Sequence, residues 1–237
     1  MSLHEVAPHS YELDDAHPLV KLLKKNYRWY SPKFSPRDVP VFADVSSVTE
    51  SPETMKAIRD YLVARYKAMT PQPTHILGFD ARGFLFGPMV AVELGIPFVL
   101  MRKAEKNAGL LIKSEPYDKE YKEAAPEVLT IRCGSIRKGS RVVLIDDVLA
   151  TGGTALSGLQ LVDASGAEVV EMVCVLAIPF LKGVEKVHST ANGRYKDVRF
   201  IAFLSDEKLT EENCGDVKDY SGPRVMSYGD AVNAHLS

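Results

Sequence analysis

Arg141-Val142-Val143-Leu144-Ile145-Asp146-Asp147-Val148-Leu149-Ala150-Thr151-Gly152-Gly153-Thr154-Ala155-Leu156-Ser157 is the stretch on which the reading of this chain turns. The run Val142 to Ile145 predicts a buried strand that breaks at the paired carboxylates Asp146 and Asp147 and passes into a small-residue loop. Beyond Thr154, apolar positions at Leu156, Leu159, Leu161 and Val162 predict a short helix ending at Ser165-Gly166. A loop that opens a helix presents successive backbone N–H groups and the positive end of the helix dipole. Gly152 and Gly153 let an anion approach that backbone closely, and two threonine hydroxyls add donors. An acid pair beside such a cradle calls for a ligand that carries a phosphate together with polyol or metal groups.

Upstream, His75 to Phe79 predicts a second buried strand, followed by the turn Asp80-Ala81-Arg82-Gly83 and a helix from Phe84 to Leu94 that Gly95 closes. Ile96-Pro97 leads to a third strand, Phe98 to Met101, completing a βαβ unit. Its turn is a second candidate anion site, because α/β proteins place ligand contacts where the chain leaves a buried strand. A surface role for Arg82 is the blander reading, and its place in this turn favours ligand contact. Downstream, Glu168 to Ile178 and Val198 to Leu204 predict two more strands. The five strands with helices between them describe a mostly parallel, doubly wound α/β sheet.

The remaining segments read less clearly. Residues 1–13 lack a period and are expected to be irregular. His17-Pro18 opens a helix with Leu19, Leu22 and Leu23 on one face, and Lys21, Lys24, Lys25 and Arg28 form its solvated side. Asn26 to Asp44 is expected to be extended or looped, ending in Val41-Phe42-Ala43-Asp44, where Phe42 on local grounds is a core residue. Ser51-Pro52 caps a further helix bearing Met55, Ile58, Leu62 and Tyr66. Arg102 to Pro126 is charged and loop-like, which in a compact domain signals a functional lid or a disordered segment. Glu127 to Ile136 is expected to return to the sheet as a strand, and residues 205–237 show little periodicity.

Composition restricts the function classes. At 237 residues one large domain is the default, and 46% hydrophobic with 25% charged residues is ordinary for a globular protein. A formal charge of −2 argues against a general nucleic-acid binder. Cys133, Cys174 and Cys214 are too sparse for a disulfide framework or a zinc site, which fits a reducing compartment. The N-terminus lacks a signal-peptide core, no apolar run has membrane-spanning length, and the C-terminal residues match neither the retention nor the peroxisomal signal, so a cytoplasmic, membrane-free protein is expected. Motifs for a P-loop, a dinucleotide fold, a zinc protease and an α/β-hydrolase are all missing from the sequence.

Asp146-Asp147, two apolar residues, Ala150 and Thr151-Gly152-Gly153-Thr154 resemble the phosphoribosyl-pyrophosphate (PRPP) motif of the type I phosphoribosyltransferases. Asp80-Ala81-Arg82-Gly83-Phe84 is similar to the Asp-Ser-Arg-Gly-Phe turn of the adenine phosphoribosyltransferases in that family, with Ala81 as a departure. The resemblance covers approximately residues 39–180. It implies that Asp146 and Asp147 hold the ribose hydroxyls, that Ala150 to Thr154 hold the 5′-phosphate, and that Asp80 to Gly83 take the pyrophosphate, where the family sometimes has a cis peptide at the position of Asp80-Ala81. Arg102, Lys103 and Lys106 are the candidate cations there.

Ala150 stands where enzymes for 6-oxopurines and PRPP synthetases commonly carry aspartate, so the resemblance favours adenine. Glu120-Tyr121 resembles the Glu-Tyr pair of the adenine enzymes' loop, which would make Glu120 the residue that handles the ring proton. Val41-Phe42-Ala43-Asp44 resembles Val-Phe-Arg-Asp, with Phe42 stacking on adenine and Ala43 where arginine is common. Glu120 and Arg82 are thus the expected catalytic residues, and Val41, Phe42, Ala43, Arg82, Glu120 and Tyr121 the adenine site. The implied enzyme is Mg²⁺-dependent, with the ion held mainly through PRPP near Asp146 and Asp147, and converts adenine and PRPP into AMP and pyrophosphate in purine salvage as a homodimer. The expected layout is one phosphoribosyltransferase domain over 1–237: an N-terminal extension and base-binding hood (1–45), an α/β core (46–204) with a flexible lid (102–126), and a C-terminal extension (205–237) packed against a neighbouring subunit. A regulator that keeps the PRPP site without performing transfer is the alternative class.

Overall fold

The computed structural model describes residues 3–116 and 128–234. Its elements in chain order are β1 (Leu3–Ala7), β2 (Ser10–Leu13), α1 (Pro18–Asn26), β3 (Arg28–Tyr30), β4 (Phe42–Asp44), α2 (Ser46–Thr49), α3 (Pro52–Lys67), β5 (His75–Phe79), α4 (Gly87–Leu94), β6 (Phe98–Met101), β7 (Leu111–Lys113), β8 (Thr130–Arg132), β9 (Arg141–Leu149), α5 (Gly153–Ala164), β10 (Glu168–Ala177), α6 (Gly183–Ser189), β11 (Phe200–Ser205) and α7 (Tyr228–Ala234). Local chemistry explains most of the boundaries. His17 and Ser51 accept the early N–H groups of α1 and α3, each with proline at the first turn, and Gly95 closes α4 in the left-handed region.

The strands form one seven-stranded sheet in the order β1-β2-β11-β10-β9-β5-β6. All of its pairings are parallel except β1 with β2. Alternation along β9 sends Val143 and Ile145 to a core formed with α1, α3 and α4, and Val142 and Leu144 to one formed with α5 and α6. From β5 the chain moves outward to β6, then returns to lay β9 on the other flank of β5. Between β5 and β9 the order therefore reverses, and at such a switch point the loops leaving the two strands diverge to open a crevice. Those loops are the two small-residue turns singled out above.

Four expectations are corrected. Residues 3–13 form a hairpin, because His9 turns the chain at φ 56° and the His9 carbonyl accepts from Phe200 N at 2.8 Å, docking β2 beside β11. Strand β9 does not break at its aspartates: it stays paired with β10 as far as Leu149 opposite Ala177. The strand expected over Glu127 to Ile136 is only Thr130–Arg132; it pairs with β7 in a separate ribbon that meets the edge of the main sheet through the Arg102–Thr130 bridge. The helix expected from Phe84 begins as a 3-10 turn over Arg82–Leu85, and α4 starts only at Gly87. Among the described residues no helix is long and apolar enough to cross a membrane.

In the segment after β11, expected to reach a neighbouring subunit, the first part packs on the N-terminal region of its own chain, where Asn213 donates to the carbonyls of Lys24 and Tyr27 at 2.7 and 2.9 Å.

Candidate active site

The turn after β5 is set by close backbone approach. A Cβ on Gly83 would lie 2.4 Å from the Ile145 carbonyl oxygen, so only glycine lets this turn rest on β9 immediately before the acid pair. Asp80 donates its N–H to the Met101 carbonyl at 3.0 Å, and the Asp80-Ala81 peptide is cis. Arg82 donates from Nη1 to Asp147 Oδ2 at 3.3 Å, across the switch point. Lys106 Nζ lies 2.7 Å from Asp80 Oδ2, and Arg102 Nε lies 3.6 Å from the same oxygen. Two of the three expected cations thus gather at the β5 turn, and Lys103 lies between them in sequence.

On the other side of the crevice, Asp146 and Asp147 are buried at 8% and 6% exposure. Asp147 N donates to Asp146 Oδ1 at 2.9 Å. Burial, reinforced by the charge of Asp147, pushes the Asp146 carboxyl well above the usual carboxylate range. Asp147 has Arg82 as counter-charge. Carboxyl oxygens placed side by side in this way can accept from the hydroxyls of a ligand diol.

The loop from Ala150 to Thr154 runs straight into α5. Gly152 takes φ 87° at the N-cap, a conformation that glycine adopts without penalty, and its carbonyl accepts from Leu156 N at 2.8 Å. The loop is backed by α6: a Cβ on Gly152 would lie 2.6 Å from the Gly183 carbonyl oxygen, and a Cβ on Gly183 would lie 2.2 Å from that of Ala150. The two glycines permit direct contact between the loop and the start of α6. Sequence reading missed Gly183, because nothing in its local context signals that it touches residue 150.

The third group lies on β4, paired antiparallel with β3 so that Trp29 faces Ala43 and Tyr30 faces Phe42. Ala43 packs against the core, Phe42 is half-buried and Val41 is exposed. Directly before β3, Tyr27 is fully buried and its hydroxyl has no hydrogen-bond partner among the described residues. Burial first, then the negative charges of Asp147 and Asp44, push its ionisation well above the ordinary tyrosine range. Tyr27 thus lies within electrostatic reach of the Arg82–Asp147 pair, a second residue that the sequence did not single out. Glu120 and Tyr121 lie outside the described residues.

The crevice therefore combines a cationic turn, a buried acid pair and a helix-opening loop with an adjoining aromatic strand. The chain matches the family described as phosphoribosyl transferase domain over residues 44–212. It is 38% identical over 156 residues to adenine phosphoribosyltransferase 5 of Arabidopsis thaliana, an alignment covering 66% of this chain and 78% of that protein. A crystal structure of adenine phosphoribosyltransferase from Leishmania donovani is 76% identical, with a TM-score of 0.95 and full coverage of both chains. That of the adenine phosphoribosyl transferase from Trypanosoma brucei, in complex with AMP, pyrophosphate and ribose-5-phosphate, is 54% identical, with a TM-score of 0.93 over 99% of this chain and 100% of the other.

Proposed function

The chain belongs to the phosphoribosyltransferase family, among its adenine phosphoribosyltransferases, and from that premise we propose how its residues transfer the 5-phosphoribosyl group of PRPP to adenine. The observation that carries the reading is the meeting of the two small-residue turns at the β5/β9 switch point, with Arg82 reaching Asp147 across it.

Asp146 and Asp147 take the ribose hydroxyls, and the backbone N–H groups of Ala150 to Thr154 take the 5′-phosphate. The turn Asp80 to Gly83, with Arg102, Lys103 and Lys106, takes the pyrophosphate. Arg102 and Lys106 then exchange Asp80 for phosphate oxygens. Adenine stacks on Phe42, flanked by Val41, Ala43 and Tyr121. As the bond from C1′ to the pyrophosphate oxygen breaks, positive charge develops at C1′ and negative charge on the leaving group. The Arg82 guanidinium therefore stabilises the transition state more than the ground state. Adenine N9 forms the new bond to C1′ from the opposite face, and Glu120 handles the proton on the base. AMP and pyrophosphate leave.

The donor set suits Mg²⁺, which keeps several waters and takes one or two carboxylates together with substrate phosphates. Among the described residues no cluster of three or more His, Cys, Asp or Glu could hold an ion by itself. Asp146 and Asp147 would hold it through the PRPP that they bind, and its charge would offset that of the departing pyrophosphate. A purine-salvage role, a cytoplasmic setting and a homodimer are part of the same proposal.

The test is to incubate the protein with Mg²⁺, PRPP and each purine base in turn and to follow nucleotide formation. AMP from adenine is expected. Nucleotide from hypoxanthine or guanine but not adenine would refute the substrate, and none from any base would point to a PRPP-binding regulator.

A further inference from the structure

We infer that the C-terminal segment Thr210 to Asp216 is a positioning element for the base-stacking strand β4, acting through β3, and that Gly215 sets the ring of Tyr30, the cross-strand partner of Phe42. The inference rests on the reading of Phe42 as the partner of adenine.

The segment is bonded to β3 as a further strand would be. Gly215 N donates to the Trp29 carbonyl at 2.8 Å, and Cys214 bridges in parallel to Trp29. The Trp29 indole donates to the Thr210 carbonyl at 2.8 Å, and Ser31 N donates to the Asp216 carboxylate at 3.0 Å. Asn213, only 4% exposed, anchors this arrangement to the end of α1 through its bonds to the Lys24 and Tyr27 carbonyls. The other edge of β3 pairs with β4. β3 therefore lies between the C-terminal segment and the strand that carries Phe42, so a displacement on one side is passed to the other.

Gly215 marks the point of transmission. A Cβ there would come within 2.6 Å of the Tyr30 ring, and Tyr30 is the cross-strand partner of Phe42. Cross-strand partners on one face lie in side-chain contact. Gly215 is not among the glycines with positive φ, so alanine at this position meets the ring and not a backbone restriction. The obstacle is the end of a side chain that can rotate, so the ring moves and the fold stays. Gly215 and Asp216 also lie past residue 212, where the family match ends, so this support is a feature of the longer chain.

The experiment is steady-state kinetics of AMP formation by the full chain and by Gly215→Ala, Tyr30→Ala and the double variant, with melting curves for each. Wild type is measured first. If it makes no AMP from adenine and PRPP, the reading of the site fails and takes this inference with it. If wild type is active, Gly215→Ala is expected to raise the adenine KM about three- to tenfold, within the range that loss of base stacking can produce. The PRPP KM should stay within about twofold and the Tm within roughly 2 °C. In the Tyr30→Ala background the same substitution should add nothing, since the two act as a coupled pair. An active wild type with an unchanged adenine KM in Gly215→Ala would overturn the inference and leave the site reading intact. Equal rises in both KM values with a lower Tm would also overturn it, by showing a merely structural role.

Discussion

Gly183→Ala tests whether the loop from Ala150 to Thr154 is held in place by the element behind it. The added methyl would sit 2.2 Å from the Ala150 carbonyl oxygen and 3.0 Å from Gly152 N, about 1 Å short of ordinary contact with the first. Both obstacles are backbone, so no rotamer change relieves them. α6 cannot easily retreat, because Val187 is fully packed in the core with α5. The loop must then give by about 1 Å, a misplacement that costs on the order of 10²-fold in a positioned reaction, or about 2.7 kcal/mol. Alanine itself favours a helix over glycine by roughly 0.5–1 kcal/mol, so the secondary structure of α6 should not suffer. The assay is the initial rate of AMP formation with PRPP and adenine varied separately, together with circular dichroism. The expected result is a loss of kcat/KM for PRPP near two decades, a much smaller change in the adenine KM and an intact spectrum. A kcat/KM for PRPP within about twofold of wild type would refute the reasoning, since a shift of this size in the loop has to be felt.

Three other outcomes follow from buried or partly buried titratable groups. Arg65 makes a two-fold bond to Glu171, Nε to Oε1 at 2.7 Å and NH2 to Oε2 at 2.6 Å, with side chains 11% and 1% exposed; Glu171→Gln should cost about 3–5 kcal/mol in urea denaturation, and Glu171→Leu with Arg65→Met should recover most of it, whereas a cost under about 1 kcal/mol would refute this. Asp146→Asn removes a carboxyl whose charged form is opposed by burial and by Asp147, while its amide oxygen can still accept from Asp147 N. Because the native pKa is raised above the unfolded one, wild type loses stability as pH rises from the carboxylate range, so the variant's Tm advantage should grow with pH and vanish in acid as its PRPP KM rises; a lower Tm at neutral pH would count against it. His17 caps α1 through Nδ1, 3.2 Å from Leu19 N, and burial, with a smaller contribution from the N-terminal charge, lowers its pKa despite the opposing pull of Asp14. That depression means the cap's stabilisation is present above the unfolded histidine range and is lost as pH falls through the native value; the loss should be on the order of 1 kcal/mol and disappear in His17→Asn, a pH dependence unchanged in that variant being the contrary result.

The physical logic of the crevice is that neither wall is complete in one segment. Arg82 and Asp147 are 65 positions apart and meet only because Gly83 lets the β5 turn lie on Ile145. The acid pair is buried by the strands on either side, and that burial raises the Asp146 pKa.

By itself, the sequence determined the features that depend on neighbouring residues: the parallel strands from their apolar runs, the helix starts at Pro18 and Pro52 from capping chemistry, the stop at Gly95, and the small-residue loop that opens α5. These are short-range effects of sterics and hydrogen bonding, and they can be read in a window of a few residues. Contacts between distant segments were decided by the tertiary structure. The hairpin of residues 3–13 offers only the short alternation of Tyr11 and Leu13, too little to read as a strand pair, and it docks because β11 offers it an edge. β9 continues through two aspartates because β10 keeps pairing with it as far as Leu149, an overriding of local polarity that no window around residue 146 reveals. Gly183 behind Ala150, the buried Tyr27 within electrostatic reach of Asp147 and Arg82, and Gly215 against Tyr30 are likewise settled by the tertiary arrangement, in which the meaning of a residue depends on what the chain brings to it from far away.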